Sequence, residues 1–137
     1  MKLFFDTNIV LDIVQRRQPF NNSAELLFEH ARDNDIEIIV SALSMANINY
    51  ILEKKAVKIT PRFTLEIIYR SFKCGDLNCN IIEKALKDSS FIDFEDCLQH
   101  YIALDNKCKF IITRDGKGFK NSQIPVFTAS GYLKTIK

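Results

Sequence analysis

The sequence predicts an α/β fold in which a parallel sheet is covered by helices on both faces, giving three layers, α/β/α. Three observations predict it. Short apolar runs alternate with longer segments of helical period, those runs are apolar throughout rather than on one side only, and just four Gly and three Pro interrupt 137 residues. Strands without a polar face need cover on both sides, and parallel neighbours need a crossover that a helix supplies.

The elements follow in order. Residues 3–5 form the first strand, and helical period continues over 8–17 and 23–34 with Pro19 between them. A second strand is predicted at 36–40. Helices over 43–55 and 61–73 come next, Pro61 standing where a helix starts. Residues 77–79 read as a short third strand, followed by helices at 80–89 and 93–106. Strands at 110–113 and 126–127 and a helix at 129–136 complete the pattern.

Composition narrows the class. With 47% hydrophobic and 26% charged residues the chain can bury a core, which excludes disordered and fibrous proteins. Its length suits a single domain spanning residues 1–137. No apolar run approaches the roughly 18 residues of a membrane span, and Asp6 interrupts the N-terminal run too early for a signal peptide. A cytoplasmic protein is expected. Cys74, Cys79, Cys97 and Cys108 include no C-x-x-C pair, so they read as buried thiols in a reducing compartment rather than a zinc site.

In a parallel sheet, ligands gather outside the carboxyl ends of the strands. The first strand ends on Asp6-Thr7-Asn8, the second on Ser41, and the fourth on Thr113-Arg114-Asp115. A strand-end Asp also serves as a helix N-cap, but two such ends point beyond capping. A third acidic group opens the helix at 93–106. At about 100° per residue, Phe94, Cys97, Leu98, Tyr101 and Leu104 form an apolar stripe with Asp93, Asp96 and His100 on its border. Glu95 projects elsewhere and reads as solvated. Asp93 is placed to cap that helix, whereas Asp96 is placed to face a cleft. Carboxylates converging on one point repel each other unless a cation holds them. Hard oxygen ligands without His or Cys favour Mg²⁺ or Mn²⁺, and such an ion activates water for attack on a phosphodiester.

Phe4-Phe5-Asp6-Thr7-Asn8 with Leu11-Asp12, Ser41-Ala42-Leu43-Ser44, Asp93-Phe94-Glu95-Asp96-Cys97-Leu98, and Ile111-Ile112-Thr113-Arg114-Asp115 near Phe119 occur in one order. Together, over the whole chain, they resemble the PIN-domain ribonucleases, especially the toxins of VapBC-type bacterial toxin–antitoxin pairs. The resemblance implies a five-stranded parallel sheet in the order 3-2-1-4-5, a Mg²⁺ or Mn²⁺ site and cleavage of single-stranded RNA by metal-activated water. It also implies a homodimer and a small antitoxin partner. Asp6, Asp96 and Asp115 match three of the family's metal-binding acids. The fourth, usually an acid on the third helix, is replaced by Asn47, which falls inside an apolar stripe and should point inward. Asn47 and Asp93 are then expected to assist catalysis, while Thr7, Asn8 and Arg114 are candidate substrate contacts. Arg114 is equally placed to pair with a carboxylate, and Asp12 reads as a helix charge near the mouth of the cleft. His100, one turn after Asp96, reads as packing with a conceivable role in proton transfer.

Charge is unevenly spread although the net value is only +2. Residues 53–73 and 107–120 are basic, and residues 76–96 are acidic. This suits a polyanion held beside an acidic cup, and solvated helix faces give similar runs. The alternative function is a PIN-fold module without turnover that binds RNA or protein. Gly-rich phosphate loops are absent from the sequence, so nucleotide binding of that kind is unsupported.

Overall fold

Leu3, Phe4 and Phe5 are inaccessible to solvent, as a strand in the middle of a doubly covered sheet must be. The computed structural model describes residues 1–55 and 60–136. Its strands are β1 (Lys2–Phe5), β2 (Glu37–Ser41), β3 (Lys73–Gly75), β4 (Phe110–Ile112) and β5 (Val126–Phe127). All pair in parallel, in the order β3-β2-β1-β4-β5, the order implied by the resemblance.

The helices are α1 (Thr7–Val14), α2 (Asn21–Asp33), α3 (Ala42–Glu53), α4 (Pro61–Ser71), α5 (Cys79–Lys87), α6 (Phe94–Asp105) and α7 (Ala129–Thr135). Alternation along the strands divides the core. Leu3, Phe5, Ile38, Val40 and Ile112 pack with residues of α1, α2, α3, α4 and α7. Phe4, Ile39 and Ile111 face the other way, onto Ile81 and Ala85 of α5 and Cys97, Ile102 and Ala103 of α6. The period of two therefore sets the layers. Asp6, Ser41, Thr60, Asn78, Asp93 and Thr128 each accept a backbone N–H at the start of the following helix, so the polar residues between elements start helices as their chemistry favours.

Three expectations are corrected. The third strand lies at Lys73–Gly75, not 77–79, because the Asn78 side chain accepts from Ile81 N at 3.0 Å and commits Cys79 to α5. Gly75 suits that strand: a Cβ there would lie 2.9 Å from both Ile39 and Ile102, so only glycine permits the close packing. The first helix ends at Val14 rather than 17, since Arg16 adopts φ 48°, a left-handed conformation that stops a helix. Only Cys97 and Cys108 are buried, while Cys74 is half-buried and Cys79 exposed, all as free thiols. Among the described residues no helix is long and apolar enough to cross a membrane.

Candidate acidic site at the strand ends

The site starts from sheet register. Phe5 pairs with Ile112, so the next residues, Asp6 and Thr113, emerge side by side. Asp6 N donates to Ile112 O at 3.0 Å. One carboxylate oxygen of Asp6 accepts from Thr7 N at 2.8 Å and the other from Thr113 Oγ1 at 2.8 Å. Thr113 Oγ1 in turn accepts from Asp115 N at 3.0 Å, which joins the two acidic strand ends through one hydroxyl. Asp6 is 8% exposed. Burial raises its pKa, the bonds from Thr113 and Thr7 oppose that, and the charge of Asp115 adds to it.

The start of α6 brings the next acids. Asp93 Oδ1 accepts from Asp96 N at 3.0 Å, so Asp93, expected to assist catalysis, is the N-cap of α6. Asp96 is half-buried, and its pKa is pushed up to about 7, first by burial and then by the charges of Asp93, Asp6, Asp115 and Glu95. Glu95 is exposed, as the helical wheel suggests, but its side chain has a partner on another helix. Asn47 Nδ2, on α3, donates to Glu95 Oε1 at 2.8 Å, and burial together with the charges of Asp93 and Asp6 raises the Glu95 pKa. A wheel drawn for one helix cannot show a donor waiting on another.

Asp115 closes the ring from the loop after β4. Its Oδ1 accepts from Gly118 N at 3.1 Å. A Cβ on Gly118 would collide with Asp96 Oδ2 and come within 2.6 Å of Asp115 Oδ2, so both carboxylates point into one space that a methyl group would fill. An open cleft of about 230 Å³ adjoins them, lined by Ile92, Asp93, Asp96, Asp115, Lys117 and Lys120 among others. Among the described residues no three acidic, Cys or His side chains form a ready-made metal cage. The donor set nonetheless fits a hard divalent cation: three carboxylates, Asp6, Asp96 and Asp115, in one electrostatic neighbourhood, two of them sharing the Gly118 cradle.

A buried polar network braces the elements that carry these acids. Ser41 Oγ donates to Gln99 Oε1 at 2.6 Å, and Gln99 Nε2 donates to Ser44 Oγ at 2.9 Å. Thr7 Oγ1 and Ser44 Oγ are 2.7 Å apart. Ser41 and Ser44 are fully buried, Gln99 nearly so. Gln99 thus ties α6 to the ends of β1 and β2, a role missed in the sequence because an isolated glutamine carries no motif.

The other expected residues separate. Thr7 braces Asp6 through its backbone and turns its hydroxyl to Ser44. Asn8 is exposed, with Oδ1 accepting from Arg17 Nη1 at 3.2 Å. Arg114 does not reach out for phosphate with its whole fork. Its Nε and Nη2 bind Asp12 at 2.9 and 3.0 Å, and its guanidinium lies 3.9 Å over the Phe20 ring. Asp12, read as a helix charge at the cleft mouth, is fully buried instead, because this bidentate partner compensates its charge. His100 is fully buried, its Nε2 accepting from Gln123 N at 3.1 Å and its ring packed on Phe91. Asn47 is half-buried at the rim rather than sunk in the core.

Known proteins resemble this chain in sequence and fold. The chain is 25% identical to Ribonuclease VapC1 of Aquifex aeolicus (strain VF5) over 137 residues, covering 97% of this chain and 94% of that one. Its fold matches VapBC2 from Rickettsia felis, solved bound to a DNA fragment from its promoter, with TM-score 0.65 and 20% identity over 93% of this chain and 98% of that one. It also matches the Mycobacterium tuberculosis toxin VapC20, which cleaves the sarcin–ricin loop, with TM-score 0.64 and 11% identity over 80% and 86% of the two chains. The sequence profile of the PIN domain matches residues 2–117, a span that holds Asp6, Asp96, Asp115 and four of the five strands, and the chain belongs to the PIN domain family.

Proposed function

We propose that this chain is a Mg²⁺- or Mn²⁺-dependent endoribonuclease acting on single-stranded RNA, the toxin of a VapBC-type toxin–antitoxin pair. The observation that carries the reading is the convergence of Asp96 and Asp115 on the Gly118 cradle, beside Asp6 held by Thr113. Asp6, Asp96 and Asp115 would hold the cation. Once bound, the ion lowers the pKa of a water and neutralises charge gathering on the phosphoryl oxygens.

The chain's own groups do the rest. Thr7 N and Thr113 Oγ1 fix both oxygens of Asp6, so that carboxylate need not reorganise on binding. Lys117 and Lys120 line the adjoining cleft and supply positive charge for neighbouring phosphates. Asp93 orients the first turn of α6, and with it Asp96. Thr7 and Asn8 remain at the edge of the substrate path by position, while Arg114 acts on it through Asp12 and α1.

The relatives support the rest of the reading. The names of Ribonuclease VapC1 and of the sarcin–ricin loop cleaving toxin support RNA as substrate, and the VapBC2 complex supports a small antitoxin as partner. We place the protein in the cytoplasm, as one domain over residues 1–137, working as a homodimer.

The test is cleavage of single-stranded RNA by purified protein with Mn²⁺ or Mg²⁺, set against Asp6→Asn and Asp96→Asn. Metal-dependent cleavage with 5′-phosphate and 3′-hydroxyl ends, lost in both variants, is expected. Products ending in a 2′,3′-cyclic phosphate would reject attack by water, because that product requires the ribose 2′-hydroxyl as nucleophile. Activity equal in wild type and variants would reject the enzyme.

A further inference from the structure

The acids that stand in sequence at the start of α6 do not share one task. Asp93 is spent on capping, its Oδ1 taken by Asp96 N at 3.0 Å. Asp96 accepts no hydrogen bond from any described protein donor and points into the Gly118 cradle. Glu95 lies one residue earlier, about 100° around the helix, and should lean away from both. Instead its side chain crosses to α3, where Asn47 Nδ2 donates to Oε1 at 2.8 Å. No cation pairs with Glu95 among the described residues, so the contact that holds it is this amide alone.

The reach across the gap has a geometric basis. Helices α3 and α6 flank the same strand ends, joined by the Ser41–Gln99 bond of 2.6 Å and the Gln99–Ser44 bond of 2.9 Å. Asn47 lies three residues after Ser44 and Glu95 four residues before Gln99, which is one helical turn in each case. The Asn47–Glu95 bond is therefore a second rung above the buried one, nearer to solvent. An amide on α3 brings no charge, but it takes only one of the roughly four lone-pair positions of a carboxylate. Oε2 of Glu95 accepts nothing from the described residues and is left for a ligand.

We propose that Glu95 is a further metal-binding acid of this site and that Asn47 is the residue that positions it. The proposal rests on the metal-dependent reading above. It accounts for an asparagine on α3 at the position where the resemblance leads one to expect an acid: the charge comes from α6, and α3 supplies the hand that aims it.

The experiment is a Mn²⁺ titration of the full chain, followed by calorimetry and by the loss of the free Mn²⁺ paramagnetic resonance signal. Wild type, Asp96→Asn, Glu95→Gln, Asn47→Ala and the Asn47→Ala/Glu95→Gln double variant are compared, with circular dichroism to show that each is folded. Glu95→Gln is expected to weaken Mn²⁺ by well over tenfold, and Asn47→Ala by about tenfold, the lower end of the range seen when a group that orients a ligand is removed. The double variant should match Glu95→Gln alone, since without the carboxylate there is nothing to position. If Asp96→Asn abolishes binding while Glu95→Gln stays within twofold of wild type, Glu95 is not a ligand and only this inference falls. Additive losses would remove Asn47 from its positioning role. Absence of Mn²⁺ binding by wild type would overturn the inference together with the reading beneath it.

Discussion

Arg114 grips Asp12 with two parallel hydrogen bonds, Nε to Oδ2 at 2.9 Å and Nη2 to Oδ1 at 3.0 Å, and Asp12 is fully buried. The pair joins the loop after β4, which carries Asp115, to α1, which follows Asp6. Replacing Arg114 with Met leaves a carboxylate buried without its partner, which costs about 3 kcal/mol or more. Urea unfolding should show that loss. The salt dependence of RNA binding should keep its slope, because a phosphate contact on a single strand contributes roughly 0.7 to it. A slope lowered by that amount would return Arg114 to the substrate.

The pH dependence of the metal-free chain has a defined sign. Asp96 rises from 3.8 to about 7 on folding, by burial first and then by Asp93, Asp6, Asp115 and Glu95. Between those values the folded chain holds a proton that the unfolded chain has released, so this contribution to stability is lost as pH rises from about 4 to about 7. Burial lowers the pKa of His100 below 6.5, which acts in the opposite direction as pH falls. Comparing wild type with Asp96→Asn cancels the histidine. The melting temperature of the variant should exceed that of wild type at pH 8 and approach it at pH 4, and Mn²⁺ should raise the wild type alone at pH 8. A variant less stable than wild type at pH 8 without metal would contradict the repulsion inferred here.

Gly118 offers a test that leaves every carboxylate in the chain. Its φ is not positive, so alanine is acceptable to the backbone, yet the added methyl would displace Asp96 and Asp115. Displacement of catalytic groups by about 1 Å costs on the order of 100-fold in rate. Gly118→Ala should therefore lose most activity and Mn²⁺ affinity with little change in melting temperature. Wild-type affinity in that variant would show that the two acids do not share a ligand.

Gln99 bonds Ser41 and Ser44 from α6. Leucine of similar size would strand their hydroxyls, at roughly 1–3 kcal/mol for each buried group left unpaired. Gln99→Leu is expected to lower the urea midpoint at an unchanged m-value. Stability equal to wild type would mean that the hydroxyls satisfy one another without the amide.

The fold was legible where the pattern was long. The apolar strands β1, β2 and β4 and the helices α2, α3 and α6 follow from periodicity and burial on both faces, and the strand ends led directly to Asp6 and Asp115. A three-residue edge strand such as β3 has no period to detect, and its place depends on Gly75 fitting between Ile39 and Ile102, a tertiary condition. The same limit applies to the site. Asp93 as cap was visible from spacing, whereas Glu95 turning to Asn47 and Asp12 turning to Arg114 require partners 48 and 102 residues away. Local pattern finds the acids, and long-range pairing decides what each one does.

Strand β1 is the middle of the sheet although it precedes every other strand of the sheet in sequence. The hydroxyl that orients its terminal aspartate belongs to Thr113, 107 residues later, and the Gly118 cradle comes later still. A growing chain at the ribosome therefore carries Asp6 without its brace until Thr113 has been made, and without Asp115 until two residues later. The cup exists only once the β4 segment has emerged and inserted beside β1. Timing is thus written into the topology: no stretch of this sequence that stops short of β4 and its following loop can assemble the cup.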